Sequence, residues 1–292
     1  MRLRIVHETS YEYDEPVTTS HHEIHLTPRK REGQACISHD IAITPAPSVM
    51  RERFDYFDNP TRYFSVHEPH RKLRIVAHTE LALTERPSGV PSATLSWEEV
   101  RDAVALDRHR DMLDAYSFVF DSPYVAASAD LRELGRVSFT KGRPLIEAVT
   151  DLTSRIFHEF TYDATATRVS TPLQEVLRHR RGVCQDFAHL QIGCLRSLGL
   201  PGRYVSGYLL TKPRPGQSRL VGADASHAWV STYLPGSGWV DFDPANNLVQ
   251  PKTHVTLAYG RDFGDVSPLR GVILGGGRHD LQVAVDVRPI DE

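Results

Sequence analysis

Apolar and polar residues alternate from Arg2 to His7, and Glu8-Thr9-Ser10-Tyr11-Glu12-Tyr13 keeps the same β-prone character. Further strands are predicted over residues 22–26, 36–43, 62–67 and 73–83. Breakers at Pro28, Pro45-Ala46-Pro47 and Asp58-Asn59-Pro60 divide them. Short strands at this spacing, with little helical period, predict a small β-sandwich-like domain over residues 1–85. The Pro/Gly/Ser stretch that follows, residues 86–95, reads as a linker, leaving 96–292 as a second, larger domain.

Helical periodicity then takes over. Ser96-Trp97-Glu98-Glu99 has the form of a capping box. Leu145, Val149, Leu152, Ile156 and Phe160 fall on one face at spacings of three and four. Thr171-Pro172-Leu173-Gln174 predicts a helix with Thr171 as its N-cap and Gly182 as its stop. Another helix is predicted to open near Cys184 and to end at Gly199-Leu200-Pro201. Strand patterns return at residues 204–210, 227–234, 239–242, 255–259 and 281–287, so the larger domain is predicted as α+β.

Composition narrows the function. The 34 Lys+Arg against 37 Asp+Glu are too balanced for a nucleic-acid surface, so no nucleic-acid partner is expected. No apolar run is long enough to span a bilayer, and Met1 to Glu8 lacks the apolar stretch of a secretory leader. A cytoplasmic protein without a membrane partner is therefore expected. Three cysteines, Cys36, Cys184 and Cys194, are too few for a disulfide framework and are expected as free thiols.

Of these, Cys184 carries the chemistry. At a helix start it faces unpaired N–H groups, which favour a thiolate nucleophile. The alternative is a small buried hydrophobe, the reading preferred for Cys194 and Cys36. His227 opens a strand, and Pro235-Gly236-Ser237-Gly238 turns the chain into Trp239-Val240-Asp241-Phe242-Asp243. His227 and Asp243 then share one end of a hairpin, as a base and its orienter must. With Leu234 opposite Trp239, however, His227 faces Asn246, and Asp243 needs a bulge or an altered turn to come round. Spacing alone leaves Asn246 as a rival orienter. Asp241, away from that end, is expected to matter little. His21, His22 and His25 lack the companions of a zinc site and read as strand-surface histidines. Arg178 to Arg181 reads as a solvated helix end, and Gly275-Gly276-Gly277 as a turn.

Four segments together resemble the bacterial transglutaminase-like superfamily, whose members are often described as proposed cysteine proteases. They are Gly182-Val183-Cys184-Gln185-Asp186-Phe187-Ala188, Pro201-Gly202-Arg203-Tyr204-Val205-Ser206-Gly207-Tyr208, Ser226-His227-Ala228-Trp229-Val230, and Trp239 through Asn247. His7-Glu8-Thr9, Tyr11-Glu12-Tyr13, Pro45-Ala46-Pro47 and Asp55-Tyr56-Phe57 resemble the family's N-terminal β domain. Ala245 and Ser231 depart from the residues common there but touch no triad position. The resemblance implies a papain-like core with Cys184 as nucleophile, His227 as base and Asp243, rather than Asn246, as orienter. It implies acyl transfer at an amide or peptide carbonyl of a peptide or protein substrate, most simply hydrolytic. Amine transfer and a catalytically silent binding module are the alternatives. No cofactor or metal is expected, since no calcium-loop pattern is present.

Overall fold

The computed structural model describes residues 1–84, 95–210 and 226–290, so the predicted linker falls almost wholly outside the described residues. Five strands come first: β1 (Arg2–Ile24), β2 (Gln34–Thr44), β3 (Val49–Phe54), β4 (Pro60–Val66) and β5 (His70–Leu83). Helices α1 (Trp97–Leu106), α2 (Arg110–Tyr116), α3 (Ala129–Arg136) and α4 (Leu145–Glu159) follow. Next are β6 (Thr161–Tyr162), α5 (Leu173–His179), β7 (Arg181–Gly182) and α6 (Cys184–Ser197). The chain continues through β8 (Gly202–Leu209), β9 (Ser226–Leu234), β10 (Gly238–Asp243), β11 (Leu248–Val249) and β12 (His254–Gly260). It ends in α7 (Phe263–Val266), β13 (Leu269–Gly275) and β14 (His279–Pro289).

β1 is one strand where the pattern predicted two. Arg2 to Glu12 pairs with β5 and Leu3 to Tyr13 with β14, whereas Ser20 to Ile24 pairs with β4 and Val17 to Ile24 with β13, Val17 also facing His70 of β5. The register shifts in between, where Pro16 lacks the N–H a regular ladder needs. Phe64 and Val66 from one wing and Leu73, Ile75 and Ile41 from the other close a common apolar cluster with Val17 and Ile24. The result is sandwich-like packing within one seven-stranded sheet. β13 and β14 return from the far end of the chain to complete this sheet. Residues 269–289 therefore pair with the first sheet, and not with the second as the expected 96–292 domain implied.

The second sheet is antiparallel, in the order β11-β10-β9-β8-β12. α6 packs on it and is buried from Asp186 to Ser197, its polar residues Asp186, Gln191 and Arg196 included, each of them hydrogen-bonded. Leu190, Ile192 and Leu195 join Val149, Leu152, Val230 and Phe242 in the main core. The helix ends at Gly199, whose φ of +78° suits glycine. Near that end Arg196 donates to the carbonyl oxygens of Phe118 (3.0 Å) and Gly202 (3.1 Å). The α1 capping box forms as predicted: Glu99 N–H donates to Ser96 Oγ, and Ser96 N–H to Glu99 Oε2. α5 differs, because Pro172 and not Thr171 stands at its N-cap. Thr171 Oγ1 instead accepts from Arg168 N–H, and the helix stops at Arg180, which takes a left-handed φ of +50°.

The two sheets meet along β12, an edge strand of the second. Two side-chain amides pair with that edge as a neighbouring strand would. Gln34 accepts from Thr256 N–H and donates to Thr256 O, both at 2.8 Å. Asn59 accepts from Tyr259 N–H (2.8 Å) and donates to Tyr259 O (2.7 Å). A buried backbone edge without partners is costly, so these amides fix how the halves dock. Asn59→Ala leaves both Tyr259 backbone groups unpaired and is expected to lower stability by about 2 kcal/mol. Denaturant unfolding of the full chain against wild type measures it; an unchanged midpoint would remove the amide's assigned role.

Candidate active site

Cys184 is the first residue of α6, half-buried, with its own backbone N–H among those a helix start leaves unpaired. The turn before it is set by Asp186, whose Oδ2 accepts from Val183 N–H (2.8 Å) and Thr167 Oγ1 (2.6 Å). Gly182 is required here, since a Cβ would lie 2.7 Å from Asp186 Oδ2. Glycine at this position makes room for a carboxylate and does not stop the preceding helix. Burial raises the Asp186 pKa against these two hydrogen bonds. Tyr162, more than half exposed, flanks the thiol.

His227 and Asp243 meet because of the β9–β10 turn. The hairpin closes on Leu234 opposite Gly238, one residue short of the expected pairing, with Ser237 N–H donating to Leu234 O. Trp239 then faces Tyr233, Phe242 faces Val230, and one step further Asp243 falls opposite Trp229. Trp229 is two residues from His227, hence on the same face. The altered turn brings Asp243 round without a bulge.

His227 Nε2 donates to Asp243 Oδ2 at 2.8 Å. Its other ring nitrogen is left for Cys184, which lies near enough to raise the imidazole's pKa. Asn246 is no bystander: its Nδ2 donates to Asp243 Oδ2 at 2.7 Å and lies 3.3 Å from His227 Nε2. The rival orienter thus acts on the carboxylate. Sequence reading missed His254, at the start of β12, whose Nε2 donates to the same oxygen at 2.8 Å. Only its recurrence beside a predicted strand start, as with His227, offered a signal. Ala245 and Asn246 N–H groups hold Oδ1 at 2.9 and 3.2 Å. Behind this cluster Trp229 is fully buried, stacked on His227 and edge-on to His254. Gly207 admits that ring: a Cβ there would lie 1.9 Å from Val255 O and 2.7 Å from Trp229 Cη2.

The electrostatics follow from these contacts. Burial opposes a charge on His227, but its hydrogen bond to Asp243 and the nearby Cys184 outweigh it and push its pKa up to about 10. Burial would raise Asp243, yet the two imidazoles hold it well below the usual carboxylate range. Burial lowers His254, which stays neutral, so one cation faces the carboxylate. The donor atoms of His227, Asp243 and His254 lie within 4.8 Å, a set able to hold a divalent metal. Both Nε2 atoms already spend their hydrogen bonds on one oxygen, so an ion would have to displace that pairing.

Other expected residues sit elsewhere. Cys194 is fully buried, its thiol pushed up to about 12 by burial. Cys36 is exposed, contrary to the expectation of a core residue, because the β2 register shifts between Cys36 and Ser38. His22 and His25 are buried and not on the strand surface: His22 stacks on Phe64, and His25 bonds Ser267 O. Asp241 is buried, accepts from Ser231 Oγ and pairs with Arg31 Nη2 at 3.0 Å, so its loss would cost docking of the two sheets. Gly275, Gly276 and Gly277 all have positive φ in the β13–β14 turn.

Residues 3–82 match the model of the bacterial transglutaminase-like N-terminal region, and residues 135–244 that of the transglutaminase-like superfamily. The chain belongs to the bacterial transglutaminase-like family. An uncharacterised protein of Mycobacterium tuberculosis is 38% identical over 298 residues, covering 99% of this chain and 93% of that one. A protein-glutamine gamma-glutamyltransferase of Pseudomonas aeruginosa is 33% identical over 133 residues, 42% of this chain and 20% of that protein. The crystal structure of a proposed cysteine protease from Cytophaga hutchinsonii shares the fold, with TM-score 0.77 and 21% identity, over 100% of this chain and 91% of that one. No helix among the described residues is long and apolar enough to cross a membrane.

The raised His227 stabilises the fold fully below its unfolded value of 6.5, and that share is lost as pH climbs through about 10. The depressed Asp243 contributes fully above its unfolded value of 3.8, and that share is lost on acidification. The site therefore stabilises most between those two unfolded values. NMR titration of His227 should give a midpoint above pH 8, falling by more than one unit in Asp243→Asn. A wild-type midpoint near 6.5 would refute the pairing.

Proposed function

We propose that the protein is a thiol-dependent hydrolase of amide or peptide bonds, with Cys184 as nucleophile, His227 as base and acid, and Asp243 as orienter. The observation that carries this reading is one imidazole hydrogen-bonded to a buried carboxylate and close enough to a helix-start thiol for that thiol to raise its pKa. Cys184 Sγ attacks the carbonyl carbon while His227 holds the thiol proton. The Cys184 backbone N–H donates to the developing oxyanion. As the C–N bond breaks, His227 passes the proton to the leaving amine and a thioester remains. Water, deprotonated by His227, attacks the thioester, releases the acid and restores the thiol. Asp243 keeps the imidazole oriented throughout and stabilises its cationic form. Three free thiols fit a reducing cytoplasm.

A second reading replaces water by a substrate amine. It is favoured by the similarity of residues in this chain to part of the Pseudomonas glutamyltransferase. Incubation with a peptide library and an added primary amine separates them: free acid marks hydrolysis, a new amide marks transfer.

Labelling with a thiol-reactive acyl probe tests the nucleophile. Cys184→Ala is expected to abolish labelling and turnover with unfolding unchanged, whereas Cys36→Ala leaves both intact. Cys194→Ala should cost on the order of 1 kcal/mol in stability and spare the chemistry. Labelling of Cys194 in the folded wild type would overturn the assignment.

Asp243→Asn should lower kcat at least a hundredfold, and Asn246→Ala less, since Asn246 acts only through the carboxylate. kcat/KM against pH should fall on its basic side only as His227 deprotonates, and a chelator should leave the curve unchanged. Loss of activity on chelation, restored by zinc, would turn the reading towards metal-assisted hydrolysis.

A further inference from the structure

At the far end of β10 from Asp243, three guanidinium groups crowd one ring. Arg203, Arg29 and Arg31 lie 3.6, 4.7 and 5.9 Å from the Tyr259 centroid, and Arg203 is also 4.1 Å from that of Trp239. Arg31 is paired with Asp241. Arg29 spends its donors on the Phe57 and Asp58 carbonyls and on Asn59 Oδ1. Arg203 is different. It is 8% exposed, its Nε–H has no acceptor, and among the described residues no hydrogen bond to its guanidinium is present. Asp241, whose carboxylate is bonded to Arg31 and Ser231, favours the Arg203 cation through its charge alone, and a buried guanidinium without acceptors still costs more than two ring contacts return.

Arg203 lines a cavity of about 660 Å³, between residues 29 and 55–58 of the first half and 110–118, 239 and 259 of the second. Arg110, on the exposed face of α2, shares its wall. Three acids also line it, but their charge is spent or peripheral. Asp55 accepts from Phe57 N–H, Asn59 N–H and Asn59 Nδ2, while Asp58 and Asp114 are exposed at the rim. The inner end is thus cationic with aromatic walls. Arg196, near the C-terminal end of α6, bonds the carbonyl of Phe118 in the cavity wall, whereas Cys184 opens that 14-residue helix at the opposite end. The reaction above makes no use of this cavity.

We propose that this cavity binds an oxyanion, a carboxylate or phosphate on a small flat body, with its charged end on Arg203 and its body against Trp239 and Phe57. Arg203's planar fork offers parallel donors to two oxygens of such a group. Because the walls come from both halves of the molecule, a bound ligand would also tie them together.

Calorimetric titration of the full chain with inorganic phosphate, phenyl phosphate and benzoate tests this. Saturable one-to-one binding of at least one is expected, with the two aromatic probes tighter than phosphate if the ring walls contribute. The order of phenyl phosphate and benzoate identifies the preferred anion. Arg203→Met should weaken binding at least tenfold and Arg110→Ala about threefold, with Cys184 labelling unchanged in Arg110→Ala. If Arg203→Met does not fold, Arg110→Ala decides alone. No saturable binding of any probe, or affinity unchanged in the folded variants, would overturn the proposal.

Discussion

Asp243 is fully buried at the end of β10, where an isolated carboxylate would forfeit several kcal/mol of hydration. Five donors replace that water: two imidazoles and an amide on Oδ2, two backbone N–H groups on Oδ1. The donors come from three places in the chain, the start of β9, the turn after β10 and the start of β12. Once buried, the carboxylate stays ionised only because the assembled second sheet brings these donors to it. Its charge in turn keeps His227 protonated, so the chemistry and the sheet register are one constraint.

His254 explains how that constraint reaches the rest of the molecule. β12 offers His254 to the carboxylate at one end and its open edge, at Thr256 and Tyr259, to the first sheet. Trp229 lies beneath both imidazoles, and only a glycine at position 207 leaves space for it. Polar pairing at the edge of β12 and aromatic packing under its first residue thus position the same strand.

What the sequence disclosed divides along similar lines. Local signals were readable: the Ser96 capping box, the α6 start at Cys184 and its stop at Gly199, and the β9–β10 hairpin. Features set by distant partners were not. The changeover in β1 depends on which strands flank it, and β13 and β14 carry no local mark of pairing with residues 3–24. Hairpin register turned on a one-residue difference in the closing pair, which decides what Asp243 faces. Cys36 and His22 were misread because burial in a sheet depends on which face the neighbours cover, which alternation alone leaves open.

β10 carries two acids two residues apart on one face, and they act on different bodies. Asp243 holds the imidazoles, while Asp241 holds Arg31 of the first half and Ser231 of β9. A shift of β10 by one residue would turn both acids to the opposite face together. Docking of the N-terminal half and alignment of His227 are consequently coupled through the register of one six-residue strand. That coupling gives the first half a role in the site although none of its residues touches Cys184, His227 or Asp243 among the contacts described.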